Sequence, residues 1–516
     1  MNPNCPPIRH FATKVLALAA IVCGALVVTD SVGAATATEV DVMAWLDDVS
    51  PAIAVDQSNN CMNLATDAVA YRNDRIVLRS NASNPSVTAT INNTLHGMYG
   101  NGIDYAGPIE RITFPTPPGG PAIVSVLSVT LHPRAGGVQH DILGLARHLR
   151  NDSAKIASPD YATTSDGPYT HYFPSGYPKK ITALTPPRTN LTLGGLKIGS
   201  GVKVMVFDTG LFAPDPVNLP TTTKLSNADN DLVNLVNNGP NMVDFPAAGH
   251  AQGISGVLTT VAPGATIQNV RINDRSGLAT DVSAARSIAA ALRSLQSVNL
   301  PNFPNLLVNA FGTAVCDLNP AAPGAVLQPV GMEAVVETVD RFNPFKSGGM
   351  LIVASAGNVA STRPHYPAAF PSVLSVGALD GTVDGDTSPW SSPSKNAPVA
   401  EFSNRGSTVD VYALGVDLPT THINGFRFET GGDIILGKAS VSGTSFSAPK
   451  IAAYIAELMS TSGNTARGAR DVLIAGATPP LPQCGTSTVE QGKAIVLSSL
   501  TATITDPPAN TEPTTC

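Results

Sequence analysis

The stretch VSGTSFSAPK, residues 441–450, holds three serines among small neighbours, and the run IAAYIAELM follows it. That run is apolar on nearly every face, which is typical of a helix buried in the centre of a domain. A helix beginning near Ser445 would place this side chain where backbone N–H groups and the helix dipole favour developing negative charge. By itself the stretch favours a serine that only caps a core helix, and a nucleophile needs support from elsewhere in the chain.

A serine becomes a nucleophile when a base takes its proton and a third group orients that base. His250 opens an apolar, helix-like stretch between glycines, although such a histidine is also typical of a surface loop. Asp208 ends the buried-strand run at 202–208, at the sheet edge where parallel sheets place their sites, unless it only forms a turn. Asn358 also follows a strand, so its side-chain amide could donate to an oxyanion.

Taken together, these segments resemble the subtilisin-like serine proteases. Asp208 lies in FDTG, His250 in GHAQG, Asn358 in SAGN and Ser445 in GTSFSAP. This is the family's order of aspartate, histidine, oxyanion asparagine and nucleophile, and the likeness covers about residues 195–478. Four motifs in order, each in its expected strand or helix context, make coincidence a poor explanation. The resemblance therefore selects Ser445 from the three serines.

The sequence departs from the family's pattern at two places. Gly253 stands where relatives usually carry a second histidine, and Ala251 and Gln252 replace the usual Gly-Thr. Ala310 replaces the usual serine before a Phe-Gly pair. None of these changes removes a proton-transfer group.

The resemblance also implies a cleft in which an extended peptide substrate would lie between two walls. The substrate edge would be formed by Ala310, Phe311 and Gly312. The other wall of the primary specificity pocket would be formed by Ser355, Ala356 and Gly357. Phe311 is also typical of a core residue, as most strand phenylalanines are.

The elements that must position these residues follow an alternating pattern from about Val202 onward. Short apolar runs alternate with longer helix-like stretches, which predicts an α/β fold with a parallel sheet and helices on both faces. The segments predicted as strands are 202–208, 267–272, 305–311, 350–357 and 373–380, with a hairpin at 426–440. Thr280 and Asp281 carry the start signal of a helix.

The chain before this pattern predicts a small α+β module, with the amphipathic helix GGVQHDILGLARHLRND between strand-like runs. The predicted boundaries are a signal peptide at 1–35, the module at 36–165, a linker at 166–194, the catalytic domain at 195–480 and a tail at 481–516. The module resembles the family's prodomains, which are cut away after folding. A permanent N-terminal domain is the alternative, since removing Cys61 would leave an odd number of cysteines.

The composition and the N-terminal pattern limit which binding partners and which cellular location we expect for this protein. Only 13% of residues are charged and the net charge is −7, without basic runs, so a nucleic-acid partner is excluded. Basic residues, an apolar run and the small residues of SVGAAT predict a secretory leader over residues 1–35. No later segment predicts a membrane span. We expect a secreted protein, extracellular or periplasmic, in which Cys61, Cys316, Cys484 and Cys516 are available for disulfides.

The function expected from these features is a serine endopeptidase acting on proteins or peptides, with no cofactor required. The alternative is an inactive secreted binding protein on the same scaffold. A secreted lipase or esterase ranks last, because this chain does not have the G-x-S-x-G elbow of those enzymes at Ser445. Relatives often bind calcium, but DGTVDGD at 380–386 lacks the spacing of an EF-hand loop. Calcium therefore remains without an assigned site, and the cysteine spacing predicts no metal site.

Overall fold

The computed structural model describes fifteen segments of the chain. These are residues 53–56, 69–100, 104–134, 140–153, 156–165, 179–180, 192–193, 196–209, 250–273, 278–298, 303–315, 326–381, 397–427, 433–477 and 493–494. The predicted leader, all six cysteines and most of the predicted linker and tail lie outside them.

Helices and strands are numbered in chain order. The helices are α1 (Asn84–Tyr99), α2 (Ile142–Ser153), α3 (His250–Val261), α4 (Asp281–Val298), α5 (Val330–Phe342), α6 (Thr444–Ser462) and α7 (Ala466–Ala475), with a short 3₁₀ turn at Asn343–Phe345. The strands of the first half are β1 (Ile53–Asp56), β2 (Val69–Arg79), β3 (Ala106–Ile112), β4 (Val126–Leu131), β5 (Ala157–Ser165), β6 (Lys179–Lys180), β7 (Thr192–Leu193), β8 (Leu196–Lys197), β9 (Lys203–Asp208) and β10 (Thr266–Arg271). The remaining strands are β11 (Leu278–Thr280), β12 (Leu306–Asn309), β13 (Phe311–Ala314), β14 (Leu351–Ser355), β15 (His365–Tyr366), β16 (Leu374–Leu379), β17 (Val411–Leu414), β18 (Leu418–Arg427), β19 (Asp433–Val441) and β20 (Lys493–Ala494).

A parallel sheet of seven described strands forms the centre of the alternating region, in the order β10-β9-β12-β14-β16-β17-β20. Every neighbouring pair in it is parallel. Its last strand, β20, comes from the segment that the sequence assigned to the tail. The predicted α/β class with a parallel sheet is confirmed.

Helices cover both faces of this sheet, which explains why its strands are apolar along their whole length. On β9, Val204 and Val206 face a core shared with α3 and α6. Met205 and Phe207 face the opposite core, shared with α4 and α5. Because parallel strands point the same way, the ends of β9, β12 and β14 meet at one edge, and the candidate residues follow those ends.

The N-terminal module is an antiparallel sheet in which β2 lies between β4 and β5, while α1 and α2 pack against it. Helix α1 is missing from the sequence-based prediction. Its apolar residues Val87, Ile91 and Leu95 are buried at helical spacing, but Asn and Thr between them have low helix propensity. The module and the α4 and α5 face of the parallel sheet share one hydrophobic core.

The predicted strand at 305–311 is wrong in its extent, because the chain changes sheets at Ala310. Strand β12 stays in the parallel sheet, whereas β13 pairs antiparallel with β5 of the module and with β15. Strand β11 pairs with β5 as well. Side-chain periodicity does not reveal this change of partner, since both halves of the run are buried.

The predicted hairpin corresponds to β18 and β19, which pair antiparallel and lead directly into α6. Its predicted turn at Gly431-Gly432 lies outside the described residues. Among the described helices, none combines the length and apolar character that crossing a bilayer requires.

Candidate active site

Asp208 is the last residue of β9, and its side chain is completely buried. The backbone N–H of Thr209 donates to its Oδ1 over 2.7 Å. Burying a charged carboxylate is costly unless hydrogen bonds compensate, so this side chain needs further donors. His250 is one of them.

His250 is the first residue of α3, and its Nδ1 lies 2.8 Å from Oδ2 and 3.0 Å from Oδ1 of Asp208. A carboxylate only accepts, so Nδ1 carries the hydrogen and Nε2 is left free to act as a base. The helix start is fixed to the end of β9 because the Ala251 N–H donates to Thr209 Oγ1 over 3.3 Å. The surface-loop interpretation of His250 is wrong, since the residue is only 3% exposed.

Ser445 is the second residue of α6, and the N-cap position belongs to Gly443, with φ 148°. No side chain caps this helix, so the interpretation of Ser445 as a capping residue is wrong. Its Oγ is buried and has no hydrogen-bond partner among the described residues. A buried hydroxyl without a partner is costly in a folded protein, which marks this one as a candidate for chemistry.

The other two serines of the stretch have structural hydrogen bonds. Ser442 Oγ accepts from the backbone N–H of Asp417 over 3.0 Å. Ser447 Oγ donates to the carbonyl of Ala413 over 3.2 Å. These contacts distinguish the three hydroxyls from one another.

Asn358 follows β14 and reaches the start of α6. Its Oδ1 accepts from the backbone N–H of Thr444 over 2.8 Å and from the Thr444 hydroxyl over 2.6 Å. Both contacts hold Oδ1 towards Thr444, so Nδ2 is turned to the other side of the amide. A methyl group added at Gly443 would lie 3.7 Å from Nδ2, so this amide nitrogen lies beside the N-terminus of α6.

The structure thus brings all four predicted residues to the carboxyl edge of the parallel sheet. The ring of Phe446 packs edge-on against that of His250, with centroids 5.3 Å apart, which holds the histidine beside α6. Nε2 of His250 and Oγ of Ser445 are both buried, and no hydrogen bond to either is found within the described part of the chain. Catalytic hydrogen bonds are often long before substrate binds. The arrangement can deliver a hydroxyl nucleophile, a base and an oxyanion donor.

The residues predicted as the substrate edge are occupied by another part of the chain. Phe311 pairs with Ser165 and Gly312 with Thr164, so β5 of the module lies antiparallel along β13. The Phe311 side chain is fully buried in the hydrophobic core, as its alternative interpretation expects, and its backbone pairs with β5.

The residues predicted as the opposite wall of the pocket begin with Ser355, the last residue of β14, and continue through Ala356 and Gly357. Ser355 Oγ donates to the carbonyl of Asn309 at 3.5 Å, which joins this wall to the end of β12. Gly357 has φ +96°, and a side chain there would also collide with Nδ2 of Asn404. A glycine is therefore required where the chain turns into Asn358.

Two helix N-termini meet the module beside this cleft. Asp160 of β5 accepts from the N–H of Val282 over 3.0 Å, and Asp281 accepts from the N–H groups of Gly331 and Met332 over 2.7 and 2.8 Å. Burial raises the pKa of Asp281 to about 7, and the negative charge of Asp160 adds to the rise against the two N–H groups. Burial also raises the pKa of Asp160.

Sequence reasoning missed Thr209, Thr444 and Phe446 as supports of the site. Each directly follows or precedes a predicted residue within a quoted motif, so adjacency was the available signal. Which atoms they contact depends on the packing of α3 against α6, which no local pattern encodes.

The described residues contain no cluster of three or more His, Cys, Asp or Glu side chains able to hold a metal ion. Most of DGTVDGD lies outside them, at 382–386. No calcium site is therefore assigned.

The family of this chain follows from its sequence as well as from this geometry. Residues 199–494, more than half of the chain, match the Subtilase family. The protein belongs to that family.

Known proteins similar to this chain include the thermophilic serine proteinase of Bacillus sp. (strain AK1), 29% identical over 274 residues, which are 52% of this chain and 54% of that protein. Thermitase of Thermoactinomyces vulgaris is 27% identical over 287 residues, covering 53% of this chain and 79% of thermitase. The match thus spans about half the length of the first relative. Fervidolysin from Fervidobacterium pennivorans, a keratinolytic enzyme related to subtilisin, superposes with a TM-score of 0.48 at 17% identity, over 83% of this chain and 61% of that one.

Proposed function

We propose that this protein is a secreted serine endopeptidase that uses Ser445 as nucleophile, His250 as base, Asp208 as the orienting carboxylate and Asn358 in the oxyanion hole. The observation that carries the proposal is the buried Asp208–His250 hydrogen bond at 2.8 Å beside a buried Ser445 hydroxyl that has no partner among the described residues. Membership of the subtilase family and similarity to named serine proteinases support the same activity.

Catalysis would begin when Ser445 Oγ attacks the carbonyl carbon of a peptide bond and its proton passes to His250 Nε2. Asp208 holds Nδ1–H of the histidine, fixes its tautomer and stabilises the imidazolium that forms. The developing oxyanion would accept from Asn358 Nδ2 and from the Ser445 backbone N–H. His250 then protonates the leaving amine, and the acyl group stays on Ser445 Oγ. In the second half, Nε2 takes a proton from water, whose oxygen attacks the acyl carbon. The bond from this carbon to Oγ breaks, the acid leaves, and His250 returns the proton to Ser445 Oγ.

The N-terminal module, predicted as residues 36–165, would be a removable prodomain and thus a partner of its own protease. Its strand β5 runs along β13, where the sequence places the peptide substrate. A strand held in this way blocks the cleft until the chain that connects the module to the rest of the protein is cleaved, between about Ala162 and Asn190. A module tethered through Cys61 after cleavage is the alternative.

The other expected partners are protein or peptide substrates, and we expect the protein to be secreted, either to the extracellular space or to the periplasm. The support is the leader pattern over residues 1–35, which lie outside the described part of the structure. Export and processing would then follow one another in the same precursor, which suits a protease that must stay inactive during synthesis.

The decisive experiment compares Ser445→Ala with Ser442→Ala in the purified secreted protein. Ser445→Ala should abolish labelling by a fluorophosphonate probe and lower kcat on casein by about 10⁶, a magnitude established in this family. Ser442→Ala loses only the hydrogen bond from Asp417, about 1 kcal/mol of stability, and should retain labelling and hydrolysis.

A folded wild-type protein that neither labels nor cleaves casein would support the alternative, an inactive binding protein on this scaffold. Substantial hydrolysis by Ser445→Ala would instead show that another group is the nucleophile.

A further inference from the structure

A buried asparagine outside the four candidate residues contacts the turn that carries the proposed oxyanion donor. This residue, Asn404, is 2% exposed and lies shortly before β17. The turn consists of residues 356–361, follows β14 directly and contains Asn358. Four hydrogen bonds join Asn404 to the backbone of the turn, three from its side chain and one from its own N–H. The position of the turn therefore depends on a residue from a distant part of the chain.

The side chain of Asn404 holds the turn on both sides of Asn358. Its Nδ2 donates to the carbonyl of Ala356 over 2.8 Å. Its Oδ1 accepts from the N–H groups of Val359 and Ser361 over 3.1 and 3.0 Å. One amide group thus fixes the backbone before and after the proposed oxyanion donor.

The turn needs such contacts, because it has little packing of its own. Val359 is 41% exposed, and Ala360 has φ 55°, in the left-handed region that is unfavourable for alanine. A strained conformation persists only where the surrounding structure holds it. The Ala360 N–H donates to the carbonyl of Phe402 over 2.8 Å, and the Asn404 N–H donates to the carbonyl of Gly357 over 2.9 Å. The segment around Asn404 therefore holds the turn in its observed conformation.

Asn404 is itself attached to the parallel sheet. The neighbouring Ser403 is completely buried, and its Oγ accepts from the N–H of Ala378 in β16 over 3.0 Å. The same Oγ donates to the carbonyl of Asn404 over 2.9 Å. The backbone around Asn358 is thereby joined to β16, whereas its side-chain Oδ1 is held by Thr444 at the start of α6.

We propose that Asn404 is a positioning residue that holds the turn at 356–361 so that the Asn358 amide is in place before negative charge develops on the reacting carbonyl oxygen. The proposal rests on the endopeptidase function proposed above, because an oxyanion donor acts only where a carbonyl is attacked. Asn404 acts on the turn rather than on the substrate, so its effect passes through Asn358. Donors that are already in place stabilise a transition state without reorganisation, and a misplacement of about 1 Å can cost about 10² in rate.

The first test is Asn404→Ala in the secreted enzyme, which removes the three side-chain hydrogen bonds to the turn. We expect kcat to fall by about 10- to 100-fold with KM unchanged within about twofold, because the alignment matters in the transition state. The upper limit is the loss of about 10²–10³ expected when the Asn358 amide itself is removed. Hydrolysis is measured on one internally quenched peptide, and kcat is expressed per active site, counted by complete labelling with the fluorophosphonate probe.

The same substitution in the Asn358→Ala background distinguishes positioning from a general loss of structure. Without the Asn358 amide there is no donor for Asn404 to align. Asn404→Ala should then lower kcat by less than about threefold, since residues that act through one contact are not additive. A kcat loss of equal size in the two backgrounds would show that Asn404 acts elsewhere.

Asn305→Ala is the matched control. Asn305 is 3% exposed, and its Nδ2 donates to the carbonyls of Ser347 and Gly349 over 3.1 and 3.2 Å, while its Oδ1 accepts from the N–H of Lys203 over 3.2 Å. This asparagine likewise holds a turn, but it lies just before β12, at the edge of the sheet opposite the candidate site. The control should lower the midpoint of thermal unfolding and leave kcat unchanged within about twofold. A kcat loss as large as that of Asn404→Ala would mean that destabilisation alone explains the effect.

Asn404→Asp is the second variant, and it replaces Asn404→Ala in the comparison if the alanine variant does not fold. The carboxylate has nearly the same shape and can still accept from Val359 and Ser361, but it has no donor for the Ala356 carbonyl. We expect kcat to fall by about tenfold in the wild-type background and by less than about threefold after Asn358→Ala.

The proposed function and the role of Asn404 fail on different results. A wild-type protein that neither labels with the probe nor cleaves the peptide contradicts the proposed function. An active wild-type enzyme whose kcat is unaffected by substitution of Asn404, or equally affected with and without the Asn358 amide, contradicts the role of Asn404 alone.

Discussion

Thr444 connects the proposed nucleophile to the proposed oxyanion donor. It precedes Ser445 in the chain, and its N–H and hydroxyl both donate to Oδ1 of Asn358. The start of α6 and the end of β14 are thereby held at a fixed distance. Electrostatic stabilisation depends on donors that are in place before charge develops, so this contact is expected to affect kcat.

Asn358→Ala should lower kcat by about 10²–10³ with little change in KM, because one of two oxyanion donors is lost. Thr444→Val keeps the volume and the backbone N–H but removes the hydroxyl donor, about 1 kcal/mol of positioning energy, and should lower kcat by about fivefold. Steady-state kinetics on one peptide substrate measures both effects.

Thr338→Val is the matched control for the threonine variant. Its hydroxyl is likewise buried and donates to a carbonyl, that of Ala334 at 2.7 Å within α5, away from the site. This variant should lose stability without losing kcat. An unchanged kcat in Asn358→Ala would mean that its amide does not point at the reacting carbonyl.

At the scale of elements, α4 and α5 begin beside the module and depend on it for their N-terminal hydrogen bonds. Asp160 of β5 accepts from the start of α4, and Ser158 Oγ accepts from the Val330 N–H of α5 over 3.3 Å. Asp281 completes the α5 start from within α4. Anionic groups are favourable at helix N-termini, but two buried carboxylates beside each other repel.

The charged groups around this carboxylate pair come from both sides of the contact. Arg75 lies 3.6 Å from Asp160, and Arg72 also acts on it. Glu333 on α5 adds negative charge near Asp281, and burial raises the pKa of Glu333 as well. Its own neighbours are Arg79, Arg150 and Glu337. The rise in the pKa of Asp281 to about 7 therefore reflects burial plus a net excess of nearby carboxylate charge.

We predict that the precursor is less stable at pH 8 than at pH 5. The folded precursor binds a proton at Asp281 up to a pKa of about 7, whereas the unfolded chain releases it near 3.8, so stability is lost as pH rises through that window. The expected contribution is about 2 kcal/mol between pH 5 and pH 8. Denaturant unfolding of full-length Ser445→Ala, which should stay uncleaved, measures it.

In the Ser445→Ala background, Asp281→Asn removes the titrating carboxylate. The free energy of unfolding should then change less between pH 5 and pH 8, even if the substitution lowers it at every pH. Asp471→Asn changes a carboxylate that is 65% exposed and should leave the dependence as it was. If the free energy of unfolding changes equally with pH in Asp281→Asn and in the Ser445→Ala parent, Asp281 is not the source of the pH dependence.

At the scale of the whole molecule, the module and the subtilase-family region are joined by a sheet and by a common core. Strand β5 lies between β2 of the module and the edge strands β11 and β13 of the subtilase-family region. A parallel sheet with long connections folds slowly, and a preformed surface that binds the native state favours that state. This packing is consistent with a module that assists folding and then has to be removed.

We predict that processing requires Ser445. The secreted wild-type chain should lack the module, with a new N-terminus between about Ala162 and Asn190, whereas Ser445→Ala should retain it and begin near Ala35. N-terminal sequencing and intact-mass measurement distinguish the two forms.

The same measurements without reductant test the tether through Cys61. A module that remains attached until reductant is added would indicate a disulfide between the two parts after cleavage. A wild-type chain that begins near Ala35, as the variant does, would contradict self-processing.

The sequence by itself determined the type of fold and the identity of the candidate residues, because both are encoded locally. A buried strand that ends in Asp208 and a helix that begins near Ser445 have patterns of their own, and parallel strand ends necessarily meet at one edge. The resemblance of the four motifs, in their order, to a known family then selected Ser445 over Ser442 and Ser447 as the predicted nucleophile.

Only the tertiary structure decided which residues support that site and what fills its cleft. The chain changes sheets at Ala310, and His365 lies between Gly312 and Gly357, because antiparallel pairing with β13 brings distant segments together. The Asp160 carboxylate likewise accepts a buried hydrogen bond from the Val282 N–H, 122 positions away along the chain. Such contacts depend on strand register and helix packing, which are set by the whole core rather than by any local stretch.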